Sequence, residues 1–441
     1  MTSAVYFLRV SAIFLIATCA QFTWAGGLFE YYQKALLMDP DYAAARSHFD
    51  SEIRSRDLAG SAFLPSVNLT ASSDNTQYQR RDVSALATQK SGYSPTSIAV
   101  RLSQPVFSMD RIAFMKENEA RAVRAEWVLA QARQDLGLRV VQTAFNFMLN
   151  QDQLSLAQAQ ALAMKAQLSQ LEGLLVSRSS TRTDVADARA RYELALVQIK
   201  QAQSLLAVRK LEFIKLTGTE PDASLQPLVA SPALQAPEPA DPQEWIDAAR
   251  ERSYKVLANR ASVQLAQATI GRIQAGNYPT LSLVASSQQS RESTYFTATE
   301  RVDSVGVQLT MNLFDGGNTR TQTAQAVAQA ERAKNELLSA QHDAAIAAGQ
   351  AFWGVMNGLD QVNAMEQAVM AAELALEGTR MGIKANVKTY ADELNAVQLV
   401  YATRRDLQKE RYSYWLSRAQ LLWGAGMSAE DLGRLISDLL H

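Results

Sequence analysis

The chain has 441 residues, 47% hydrophobic and 20% charged, and 43 basic residues nearly balance 44 acidic ones for a net charge of -1. This composition is enough for a folded protein and excludes the basic surplus of a nucleic-acid or polyanion binder. The single cysteine, Cys19, lies in the first 25 residues, so a chain cleaved after Ala25 has no disulfide and no thiol chemistry.

Residues 1–25 read as an export signal: Arg9 closes a short n-region, an apolar run extends from Val10 to Ala20, and Thr23-Trp24-Ala25 offers a small-residue cleavage site. Ile16-Ala17-Thr18-Cys19 resembles a lipoprotein site with Thr18 where a smaller residue is expected, which leaves lipidation of Cys19 as the alternative. Beyond the leader no apolar run reaches the roughly 18 residues that a membrane helix needs. An exported chain of this kind can cross a membrane only as a closed β-barrel, because hydrocarbon leaves backbone groups no other partner.

Residues 26–64 are expected to form an N-terminal helical segment and 65–107 a first strand pair. In that pair Val67, Leu69 and Ala71 alternate with Ser66, Asn68, Thr70 and Ser72, and Ile98, Val100 and Leu102 alternate with Ser97, Arg101 and Ser103. A first helical hairpin is expected over 108–218, since no proline falls between Val106 and Glu220. Leu154, Ala161, Leu168 and Leu175 recur every seventh residue, with Ala157, Met164 and Leu171 between them, as in a coiled-coil seam. From Met109 to Val176 such a helix is about 100 Å long at 1.5 Å per residue, and Ser177–Thr183 reads as its tip. Its faces are rich in Ala, Gln and Ser, so the apolar stripe is thin, which suits a wall one helix thick.

Six of the eleven prolines crowd 219–245, a connector, followed by a lead-in helix over 246–277. The second strand pair is expected over 278–315, with Leu281, Leu283, Ala285, Val305, Val307 and Leu309 on one face and serine, threonine, glutamine and asparagine on the other. Aromatic residues at or near strand ends (Tyr78, Tyr93, Phe107, Tyr278, Tyr295, Phe296, Phe314) are placed as interfacial girdles would be. A second hairpin over 316–426 carries its own seam (Val362, Val369, Leu376, Ile383) and a tip over Gly382–Thr389. A tail, 427–441, completes the chain. Apolar faces of this kind meet either lipid or a second sheet, and four strands cannot close a barrel whose smallest known form has about eight. Two copies would supply eight strands and three would supply twelve.

The two halves repeat. Setting 98–150 over 305–357 pairs Leu102 with Leu309, Phe107 with Phe314 and Ala144-Phe145 with Ala351-Phe352, and a second offset pairs Asp184 with Asp392 and Gly218 with Gly426. The ordered set LFEYYQKALLMDPDYAAA, AFLPSVNLTAS, LSQPVF, LFDGG, TDVADARARYE and RYSYWLSRAQLLWGAG resembles the TolC family of outer-membrane efflux and secretion channels over nearly the whole mature chain. The opening segment is similar to the branch that serves type I secretion.

The resemblance implies a mainly α protein with membrane β: a homotrimer whose protomers each give four strands to one twelve-stranded barrel in outer-membrane lipid, continuous with a long α-helical barrel across the periplasm. It implies a periplasmic membrane-fusion adaptor and an inner-membrane ABC or proton-driven transporter as partners, with no nucleic acid, cofactor, metal or catalytic residue. Phe107, Phe314, Asp315, Gly316 and Gly317 are the expected strand–helix junctions, and the connector and tail would form an equatorial band. At the periplasmic tips, Asp184 and Asp392 match the family's acidic rings, with Asp187 and Asn395 three residues on, hence on the same helical face. Asn395 stands where an acid is frequent and Asn386 where glycine is, which implies a weaker charge ring and a different tip turn. Arg182 and Lys388 are candidates for salt bridges that hold the entrance shut, against the plain reading of solvated helix charges.

Other signals carry little. His48, His342 and His441 lack metal-site spacing, Asn68-Leu69-Thr70 is a glycosylation sequon inside an expected strand, and Gly316-Gly317 lacks phosphate-loop spacing. Trp353, Trp415 and Trp423 read as packing anchors. The sequence leaves open drug efflux against protein secretion, and a periplasmic coiled-coil scaffold as a further alternative; no set of nucleophile, base and orienting group suggests an enzyme.

Overall fold

The computed structural model describes residues 26–82, 87–221, 225, 234–293 and 297–426. The leader with Cys19, the tail, most of the proline-rich connector, and Tyr295 and Phe296 lie outside the described residues.

Two short helices come first, α1 (Gly26–Met38) and α2 (Pro40–Ser61). Asp39 caps α2, its carboxylate accepting from Tyr42 N–H at 2.9 Å, and Pro40 fills the first turn, where its missing N–H costs nothing. Strands β1 (Ser66–Ser73), β2 (Thr76–Asp82), β3 (Ala87–Tyr93) and β4 (Thr96–Ser108) follow. The β2–β3 hairpin extends the β1–β4 pair outward, the Asp74 N–H bonding to the Pro95 carbonyl at 3.0 Å between the two pairs. Sequence reading treated this span as two strands. The tips of both are polar on both faces (TQYQRRD), so no alternation marks the extra pairing.

Helix α3 (Met109–Val176, 68 residues) turns back as α4 (Arg182–Thr217), which ends at Gly218. Helix α5 (Pro242–Arg252) begins inside the expected connector, because Asp241-Pro242 is a cap and first-turn pair like Asp39-Pro40. The lead-in helix is thus two helices, broken at Ser253 before α6 (Tyr254–Ala275). Strands β5 (Thr280–Ser293) and β6 (Thr297–Thr310) lead to α7 (Asn318–Lys384, 67 residues) and α8 (Tyr390–Gly424).

Three layers stack along the molecule. The sheet runs β1-β4-β5-β6, antiparallel throughout. Below it the helices that touch are α2 with α3, α3 with α6 and α6 with α7; towards the tips α4 packs on α3, α3 on α8 and α8 on α7. The sheet and the tip end are one element thick, with α1 and α5 packed onto the long helices between them, and the flanks are β1, α2 and α4 on one side and β6 and α7 on the other.

The largest core lies at mid-height, where α1 folds onto the long helices. Tyr31, Leu136, Val140, Phe145, Phe213, Phe352, Tyr414, Trp415 and Leu421 pack there, with Trp245 from α5. Gly426, past the end of α8, lies so close to the Arg252 carbonyl that a Cβ would approach its oxygen to 2.6 Å, and its φ of +79° independently favours glycine. A second, thinner core joins the hairpins near the tips through Ala161, Met164, Leu168 and Leu171 of the first seam, with Val185, Ala188, Leu394 and Val397. Trp415 and Trp423 are buried as packing anchors, but Trp353 is 55% exposed, its ring edge-on to Phe352.

Candidate functional site: hairpin tips, junctions and sheet faces

Both tips are built the same way. Each descending helix ends in a residue with left-handed backbone, Arg178 (φ +58°) or Asn386 (φ +56°). The next N–H reaches back five residues, Ser179 to the Leu174 carbonyl at 2.9 Å and Val387 to the Gly382 carbonyl at 2.8 Å. Asparagine tolerates that conformation well, so Asn386 closes its turn without glycine. The ascending helices then open with reciprocal caps. Thr181 Oγ1 accepts from Asp184 N–H (3.1 Å), while the Asp184 carboxylate accepts from Thr181 N–H (3.0 Å) and hydroxyl (2.7 Å). Thr389 and Asp392 repeat this at 3.2, 2.9 and 2.8 Å.

The two matched aspartates are therefore held by their own helix starts. The T-x-x-D spacing in TRTD and TYAD carried this signal; sequence reading weighed a gate charge against a free solvated charge and missed the cap. The Thr389 N–H, then its hydroxyl and Lys388, hold the Asp392 carboxyl below the usual carboxylate range.

The remaining predicted tip residues diverge. Asp187 pairs with Arg191 at 3.2 Å, and Arg191 also donates to Gln398 Oε1 of α8 at 3.1 Å, joining the two hairpins. Asn395 is exposed. Lys388 lies over Gly382, where an added Cβ would meet its Cγ at 2.7 Å. Neither Arg182 nor Lys388 lies within salt-bridge distance of a carboxylate among the described residues. The pairs that do tie the arms of the hairpins are Arg380–Glu393 (2.9 Å, Glu393 buried), Arg404–Glu373 (3.0 Å), Arg189–Glu172 (2.7 Å) and Arg411–Glu366 (2.8 Å). No sequence pattern announces pairs this far apart in the chain.

The junctions differ between halves. Strand β4 passes into α3 without a break: Ser108 ends the strand and its buried hydroxyl caps the helix, accepting from Arg111 N–H at 3.3 Å. Phe107 faces Leu281 beyond a register shift at Pro105, and Pro105 sits where its missing donor disturbs the ladder least. Between β6 and α7 lie residues 311–317, with Phe314 exposed and both Gly316 (φ +66°) and Gly317 (φ +86°) left-handed. Gly317 has no side chain to cap α7, so Asp315 does: it accepts from Gly317 N–H (3.0 Å), Thr319 N–H (2.7 Å) and the Thr319 hydroxyl. Those donors, the Thr319 hydroxyl foremost, hold its carboxyl below the ordinary range.

The sheet has two unlike faces. Register places Val67, Leu102, Ala285 and Val305 in one row, with Leu283–Val307 and Phe107–Leu281–Leu309 towards the helices. Val67, Leu69, Val305, Val307 and Leu309 are all more than 60% exposed. On the other face Ser72 bonds Ser97 (2.9 Å), Ser286 bonds Ser304 (2.8 Å), and Arg101 of β4 reaches across β5 to Gln308 of β6 at 3.3 Å. A bond spanning two strands fits a sheet curled towards its polar face, with that face concave and the apolar one convex. Among the described residues no helix is long and apolar enough to cross a membrane, and no cluster of three metal-ligating side chains occurs.

Comparison with known proteins agrees with this architecture. The sequence pattern of the family described as outer membrane efflux protein matches residues 31–219 and 245–425. The chain is 29% identical over 415 residues to alkaline protease secretion protein AprF of Pseudomonas aeruginosa, covering 92% of this chain and 86% of that one. It is 28% identical over 424 residues to outer membrane protein TolC of Vibrio cholerae, covering 94% of each. Its fold matches the crystal structure of outer membrane protein VceC from Vibrio cholerae with a TM-score of 0.74 at 18% identity, over 90% of this chain and 96% of that one.

Proposed function

The chain belongs to the outer membrane efflux protein family, the TolC family, and on that premise we propose that it is the outer-membrane exit duct of a tripartite export system. One observation carries the reading: every layer leaves the same two flanks open. Edge strands β1 and β6 each present unpaired backbone groups, which lipid would not tolerate. Beneath them α7 presents Ile346 and Trp353 and then Leu374 and Met381 at seven-residue spacing, all more than half exposed, and α4 presents Leu194, Val197, Val208 and Leu211. An apolar stripe at that period is half of a coiled-coil seam. A head-to-tail ring satisfies both flanks at once, with β6 and α7 of one copy against β1, α2 and α4 of the next. Three copies give twelve strands, the convex apolar face against outer-membrane lipid and the concave polar face around water. The repeated halves then alternate around one axis, and the helices extend the lumen through the periplasm.

Function in such a duct is passive conduction and gating. In a trimer Asp184 and Asp392 each recur three times at the tips, and rings of fixed carboxylates attract cations. The caps aim these carboxylates, and Arg380–Glu393 and the Arg191 bridge hold the hairpins that carry them. An adaptor and an energised inner-membrane transporter, ABC or proton-driven, would supply cargo. Resemblance to secretion proteins favours exported protein as that cargo; efflux of small toxic molecules is the competing reading, and the scaffold alternative leaves the convex apolar face without a role.

Single-channel recording in planar bilayers tests the proposal, comparing wild type with an Asp184→Ala, Asp392→Ala double variant. Uniform conductance steps whose cation preference falls in the variant are the expected result. A protein that stays out of membranes in fractionation would overturn the duct and leave the scaffold.

A further inference from the structure

Resting on the trimeric-barrel reading, we infer that Arg101 sets the charge preference of the barrel lumen, forming with its copies a ring of three guanidinium groups that attracts carboxylate- or phosphate-bearing parts of passing cargo. Arg101 and Gln308 hold corresponding places in the two halves, one residue before Leu102 and Leu309, and they meet on the concave face at 3.3 Å. Corresponding places in repeats arranged about one axis lie at one height, so around the closed barrel three arginines alternate with three glutamines. Gln308 takes one of the five N–H donors of each guanidinium, and no carboxylate lies within salt-bridge distance of Arg101 among the described residues. The donors left over face the lumen in the planar fork that suits carboxylate and phosphate.

Neighbouring charge does not cancel this. The rows beside Arg101 hold Asn68, Ser286 and Ser304, then Thr70, Ala99, Gln288 and Val302. The register puts two acids on this face, Glu300 opposite Ser290 and Glu292 opposite Ala298. They sit four residues along β6 from Ser304 and six along β5 from Ser286, about 13 and 20 Å at 3.3 Å per residue, beyond the screening length of about 10 Å in 0.1 M salt. The duct would then carry acids at its periplasmic tips and a cationic ring in its barrel, two filters of opposite sign in series.

The test places a reporter thiol opposite Arg101 by Ser286→Cys, in intact cells, with rates measured for an anionic and a cationic methanethiosulfonate of similar size added outside. Both reagents react with the same thiolate, so their rate ratio reports local potential and not thiol reactivity. The anionic-to-cationic ratio should fall about three-fold at low salt when Arg101→Gln is added, remain in Arg101→Lys, and converge between variants as salt is raised. An unchanged ratio in Arg101→Gln, or a ratio lost equally in Arg101→Lys, overturns the proposal. If neither reagent reaches the thiol from outside, the concave face is not a lumen, and the barrel reading beneath the proposal fails instead.

Discussion

Asp152 offers a prediction with both size and sign. It lies in α3 against α8 at the edge of the mid-height core, where its carboxylate accepts a hydrogen bond from the buried Tyr412 hydroxyl at 3.0 Å. Burial raises its pKa to about 6 from the ordinary 3.8, with the Tyr412 bond and nearby Arg411 opposing that rise only in part. The folded protein therefore binds a proton that the unfolded chain does not between pH 4 and 6, and stability rises as pH falls through that window. The shift of about 2 pH units corresponds to about 3 kcal/mol, which solvent access to the carboxyl reduces to about 1–2 kcal/mol. Asp152→Asn removes the charge and keeps an acceptor for Tyr412. Followed by circular dichroism of purified protein, its apparent melting temperature should exceed wild type by roughly 2–4 °C at pH 7.5. The difference should vanish at pH 4.5. A variant less stable than wild type at pH 7.5, or an equal difference at both pH values, refutes the reasoning.

Other substitutions probe other layers. Asp39→Ala removes the α2 cap and the buried one of the two carboxylates that Arg139 binds, leaving it Asp41 at 2.9 Å; a loss of about 1–2 kcal/mol is expected, read as a lowered denaturant midpoint. Gly426→Ala drives a Cβ against the Arg252 carbonyl from a left-handed backbone and should destabilise by roughly 1–3 kcal/mol in the same assay, whereas Gly424→Ala, with open space around it, should not. Val307→Lys on the convex face should cost about 2–4 kcal/mol in lipid and reduce outer-membrane insertion, while Ser304→Lys on the concave face should insert normally. Equal insertion of the two would reverse the assignment of faces.

Strong periodicity made most of the fold legible. Alternation marked β1, β4, β5 and β6, and proline-free heptads marked α3 and α7, because an apolar stripe on a thin wall has to recur with the geometry of its element. Where both faces of a ribbon are polar, as in β2 and β3, no period exists to read. The start of α5 was hidden because Pro242 looked like one more linker proline; only the preceding Asp241 distinguishes a helix start from a break. At the tips, Asp184 and Asp392 were recognisable as special, yet their caps were overlooked in favour of gating. Glu393 and Arg380 gave no signal, since two charges 13 positions apart become partners only once the hairpin has folded. The bond from Arg101 to Gln308 was likewise invisible, depending on how far the sheet curls.

If one chain supplies a third of a closed wall, the number of chains per particle must be three. Native mass spectrometry of protein extracted from outer membranes in mild detergent should give a mass of three mature chains, with no stable monomer. A folded monomer, or a dimer, would leave β1 and β6 unpaired or close only eight strands, and would contradict the account.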